Sequence, residues 1–107
     1  MLVTTIDHIP GKKVTEVLGL VQGSTIRARH VGRDILAGLR NVVGGEIKDY
    51  TQMLAQAREI AVQRMVGEAE RLGADAVVGV RLATAQTMAG AAEVLAYGTA
   101  VRLGPAD

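Results

Sequence analysis

The chain predicts an α+β domain, and three patterns carry that prediction. A long Ala-rich segment from Asp49 to Leu72 repeats apolar residues at helical spacing and stops at Gly73. Val14 to Arg29 alternates in the manner of a strand, and Ala76 to Leu82 is a short continuous apolar run. A turn at Met88-Ala89-Gly90-Ala91 leads into Val94 to Leu103, rich in β-formers, which makes the last two an antiparallel hairpin. The economical architecture is a small antiparallel sheet with one short and one long helix packed on it.

The elements follow in order. Leu2 to Ile6 is a short β-prone piece, and Pro10-Gly11 is a turn dipeptide. In the strand from Val14, both faces are apolar around residues 17 to 21, so cover is expected on both sides there, and Gly23-Ser24 reads as a bulge or break. Gly32 opens a short helix with Ile35, Leu36 and Leu39 at helical spacing, closed by Gly44-Gly45. Asp49 is the expected N-cap of the long helix, with Gln52 three residues on. Tyr50, Leu54, Ala57, Ala61, Met65, Ala69 and Leu72 gather on one side of it, and Gln52, Gln56, Glu59, Gln63 and Glu70 on the other.

Met53, Ile60, Val62 and Val66 widen the apolar arc beyond what one sheet face requires. Gly67 in mid-helix costs roughly 1 kcal/mol against Ala, which suggests a close backbone approach by a neighbour. The strands are apolar on both faces and no further helix is available to cover them, so self-association is the natural expectation.

At 107 residues the chain makes one domain, taken as 1–104 with a frayed tail at 105–107. It has no Trp, no Phe and two Tyr, so its core is built from Val, Leu, Ile, Met and Ala. The net charge of +1, with both signs interleaved and no aromatic platform, argues against a nucleic-acid partner. The N-terminus has no charged region followed by an apolar one, and no run approaches a membrane span, so no membrane partner and a cytoplasmic location are expected. There is no P-loop and no dinucleotide fingerprint, and Ser24 is the only serine. An enzyme is not expected. Glu93 and Tyr97, four apart on one strand face, are the nearest to an acid-base pair.

The string from Gly32 to Glu46, Gly-Arg-Asp-Ile-Leu-Ala-Gly-Leu-Arg-Asn-Val-Val-Gly-Gly-Glu, with Tyr50 and Arg58 after it, resembles the YbjQ family. The resemblance extends to Thr4-Thr5 and Ile9-Pro10-Gly11 at the start. It includes Ala74 to Arg81 and Ala96-Tyr97-Gly98-Thr99-Ala100-Val101 toward the end. It implies a dodecin-like α+β subunit that assembles into a homopentameric ring. It also implies a family description of heavy-metal binding, with no enzymatic activity established.

Soft metals select thiolate and imidazole, usually three or four ligands together. This chain departs from that chemistry, with no Cys and with His8 and His30 isolated from each other. A metal centre would need ring symmetry to multiply His30 or Glu46 around an axis. The cofactor is therefore left open, a metal ion being the one the resemblance names.

A second candidate is anionic: Arg27, Arg29, His30 and Arg33 surround the helix start at Gly32, where N–H groups and guanidinium groups suit a small oxyanion. The ligand-binding candidates are thus Arg29, His30, Arg33, Arg40 and Glu46. Tyr50, Arg58, Arg64, Glu68, Arg81 and Tyr97, polar residues in apolar segments, are expected at a subunit interface. The main expectation is a homo-oligomeric binding or assembly protein whose partner is itself. The alternatives are a metal-binding protein and an enzyme with a small-molecule site between subunits.

Overall fold

The computed structural model describes residues 1–28, 45–88 and 91–106, with side chains given for all of these except 27–28, 45–50 and 87–88. The expected short helix, with Arg29, His30, Arg33 and Arg40, lies outside the described residues. Four strands and one long helix remain: β1 (Leu2–Val3), β2 (Lys12–Ala28), α1 (Gly45–Arg71), β3 (Ala76–Met88) and β4 (Ala91–Pro105).

The strands form one sheet in the order β1-β3-β4-β2. β4 pairs antiparallel with both β2 and β3, as the hairpin pattern predicts. The sheet is mixed rather than antiparallel, because β1 lies parallel to β3, Leu2 opposite Ala76 and Val3 opposite Val77. The rest of the N-terminal segment stays on that edge: Gly79 N–H donates to Ile6 and Val80 N–H to Thr4.

β2 is continuous through Gly23-Ser24, where a break is expected from the sequence. The irregularities fall earlier, between Val14 and Glu16 and between Val17 and Gly19, and Gly19 takes a positive φ of 129° there. In β3 the register shifts between Val78 and Arg81, with Gly79 at φ 63°. Both are positions a side chain rarely tolerates, so glycine sets where these two bulges fall, while the shifts at Val14/Glu16 and Gln86/Met88 form without one. β4 runs through Pro105 opposite Lys12, so Pro105, expected in the frayed tail, belongs to the sheet.

α1 begins at Gly45, four residues before Asp49, which therefore lies inside the helix and is not its cap. Its end is as expected: Gly73 sits at φ 79°, Gly73 N–H donates to Glu70, and Ala74 N–H donates back to Ala69. That paired closure satisfies the last carbonyls and needs a left-handed residue at its centre.

The helix lies mainly across β2 and β4. Ala57, Ala61, Met65 and Ala69 are fully buried against Val21, Val94, Ala96 and Ala100. The small side chains let backbone meet backbone. At Gly23 a Cβ would collide with the Ala61 carbonyl and the Met65 amide, and would lie 2.7 Å from Arg64 Cβ. Gly23 is thus a docking position for the helix. Gly67 has no such role among the described residues, where a Cβ there meets only Arg71 Nη1 at 4.0 Å. Leu72, expected on the buried side, is exposed.

A second, smaller core forms on the opposite sheet face, where Ile9 and Leu103 pack on Ala76, Val78 and Val101. The chain is long and thin, 61 × 22 × 16 Å, with a radius of gyration of 17.7 Å. A compact domain of about 100 residues has a radius near 13 Å. The length follows from β2, whose 17 residues extend roughly 56 Å at about 3.3 Å per residue.

Candidate functional site

The feature most in need of a function is the sheet surface that neither α1 nor the N-terminal segment covers. Partners in register share a face, so Leu20 sits with Thr99, Gln22 with Tyr97 and Arg81, Ser24 with Leu95 and Ala83, and Ile26 with Glu93 and Ala85. These lie opposite the helix side, which is marked by Val21, Gly23 and Thr25 with Gly98, Ala96 and Val94. Val17, Leu20 and Ile26 are 65%, 67% and 64% exposed. The two-sided cover expected around residues 17 to 21 is present on one side only: Val21 is fully buried under α1 while its neighbours face out.

Arg81 and Tyr97 lie in adjacent register on this face. Arg81 Nη1 donates to the Thr5 carbonyl and to its own neighbour Val80, both at 2.8 Å, so it ties the N-terminal segment to β3. Tyr97 and Glu93 are half-buried on the same face.

Arg64 and Glu68 lie on α1 and Arg58 is exposed at its surface. Arg64 Nη1 donates to the Ser24 carbonyl at 2.7 Å, reaching over the outer edge of β2. Glu46 and Tyr50 fall in the first turns of α1, outside the described side chains. Asp75, which the sequence does not single out, accepts the Leu103 N–H at Oδ2 (2.9 Å) while its own N–H donates to Val101, fastening the helix exit to β4. The signal for it was the Gly-Ala-Asp that follows the helix stop.

Among the described residues no group of three or more His, Cys, Asp or Glu is placed to hold a metal ion. His8 stands beside Asp7 at 2.9 Å, both exposed. The hydrogen bond from the imidazole holds the Asp7 carboxyl below the usual carboxylate range. Two adjacent surface groups are too few for a soft-metal centre. The described residues of one chain therefore do not fit a heavy-metal site. No described helix is long and apolar enough to cross a membrane, which leaves β-barrels aside. What the surface can do is bury apolar area against another body.

A family model described as "Putative heavy-metal-binding" (YbjQ) matches residues 1–104. A UPF0145 protein of Archaeoglobus fulgidus is 63% identical over 96% of this chain and 95% of its own. One from Thermus thermophilus is 61% identical over 99% and 93%. Among solved structures, a protein of unknown function from Pediococcus pentosaceus, of the DUF74 family, superposes with a TM-score of 0.68 at 18% identity. It covers 97% of this chain and 98% of that one. At that identity the likeness speaks for the fold alone.

Proposed function

The chain belongs to the YbjQ (UPF0145) family, and from that premise we propose that it works as a homo-oligomeric binding or assembly protein, built as a pentameric ring. The observation that carries the oligomer is an apolar surface that no described residue covers, with Val17, Leu20 and Ile26 each about two-thirds exposed. Burying such side chains contributes roughly 1–2 kcal/mol apiece at this exposure, and a small core without Trp or Phe gains from it. The number five rests on the family resemblance. A ring requires two different patches to meet, and the long chain has two distinct sides to offer.

The test is native mass spectrometry of untagged protein purified without chelator, compared with the denatured mass. Five chains with no added species is the expected result, and a single chain overturns it. A ring carrying a reproducible extra mass would favour the alternative in which symmetry gathers His30 and Glu46 around a metal ion.

A further inference from the structure

The N-terminal segment is fastened along one short stretch of β3. β1 is two residues long, and beyond it Thr4 N–H donates to the Val77 carbonyl at 3.0 Å, Gly79 N–H to Ile6 at 2.8 Å and Val80 N–H to Thr4 at 3.0 Å. A regular strand turns alternate N–H groups to a given edge. Gly79 and Val80 are consecutive, and the bulge at Gly79 is what lets both donate to the same segment. Arg81 adds a side-chain tie, from Nη1 to the Thr5 carbonyl at 2.8 Å.

Among the described residues, one apolar side chain of this segment reaches a core: Ile9, which packs on Ala76, Val78 and Val101. Met1, Leu2, Val3 and Ile6 are exposed, and none of residues 1–11 joins the larger core around Met65 and Val94. The segment ends at Pro10-Gly11, where Gly11 takes a φ of 80° and Lys12 N–H closes a turn onto the Ile9 carbonyl. With no described atom within 4 Å of where its Cβ would stand, Gly11 can change its backbone angles without a clash.

We propose that residues 1–11 are a strap that opens as one unit, turning at Pro10-Gly11, while α1 and the rest of the sheet stay folded. Few buried apolar contacts and exposed backbone hydrogen bonds are the marks of a unit that opens below the global unfolding free energy. Arg81 is the latch at the middle of the strap and Ile9 the plug at its base. Opening bares Ala76, Val78 and Val101 and releases the edge of β3 from Ala76 to Val80, and it leaves Ala57, Ala61, Met65 and Ala69 buried. The inference does not rest on the oligomer reading, since every contact it uses lies within one chain.

The experiment is amide exchange of the whole chain, read residue by residue by NMR at several urea concentrations below the unfolding transition. Thr4, Gly79 and Val80 should be protected to the same degree within about 3-fold, and about 100-fold less than Val94 and Ala96 of β4. Their exchange should be nearly independent of urea, because opening the strap exposes little surface, whereas the β4 amides follow the steep dependence of global unfolding. Ile9→Ala should speed all three strap amides about 10-fold, although Ile9 is hydrogen-bonded to none of them. Arg81→Ala should do the same. A urea dependence shared with β4 overturns the inference, because the segment then unfolds only with the rest. Protection that differs more than about 10-fold among the three amides, or that Ile9→Ala leaves unchanged, also overturns it, because the amides then open singly. Should either variant fail to fold, the wild-type protection and its urea dependence decide alone.

Discussion

Replacing Gly23 with Ala puts a methyl group where α1 and β2 touch. The new Cβ would stand 2.7 Å from Arg64 Cβ and closer still to the Ala61 carbonyl oxygen and the Met65 amide nitrogen. Ordinary contact begins near 3.4 Å, so the helix must lift by more than about 0.7 Å, and because two of the three obstacles are backbone, no side-chain rotation relieves them. Lifting α1 loosens Ala57, Ala61, Met65 and Ala69, all fully buried. Overpacking of this kind costs typically 1–3 kcal/mol when side chains can yield; with backbone in the way we expect about 3 kcal/mol. At about 4–8 °C per kcal/mol that lowers Tm by roughly 12–24 °C. Thermal and urea denaturation followed by circular dichroism measure it, with both proteins at one concentration because assembly adds to apparent stability. A Gly23→Ala protein within about 0.5 kcal/mol of wild type refutes the close-contact argument.

Gly67→Ala should go the other way, gaining about 1 kcal/mol in the same assay, since among the described residues the methyl meets nothing nearer than 4.0 Å. Loss of the oligomer in that variant would instead place Gly67 in a subunit contact, as the bare sequence suggests. Arg64→Ala removes the bond to the Ser24 carbonyl at an exposed site and should cost about 0.5–1 kcal/mol by urea denaturation; no measurable change would mean that water replaces the guanidinium without loss. The Asp7 carboxyl should titrate below the ordinary aspartate range by NMR, and His8→Ala should return it upward. Because its folded value is depressed, whatever this pair contributes is present above the unfolded pKa and is lost as pH falls through the folded one.

Residue order is enough to give the α+β class, the long helix with its stop at Gly73 and the β3–β4 hairpin. Each of these rests on local rules: a repeat near 3.6, a left-handed glycine and a turn between β-forming runs. It also determined the Ala57-Ala61-Met65-Ala69 stripe that is buried. The start of α1 was illegible because Asp49 and Gln52 make a cap pattern inside a segment equally able to be helical. Tertiary structure alone decided that Gly23 is a docking point rather than a break, because its meaning depends on residues some 40 positions away. It likewise decided that Arg64 meets the Ser24 carbonyl, that β1 makes the sheet mixed, and that Val17 and Leu20 face out while Val21 is covered. An apolar strand records in its sequence that its faces favour burial. Which face is buried is set, among the described residues, by where α1 comes to rest across β2 and β4.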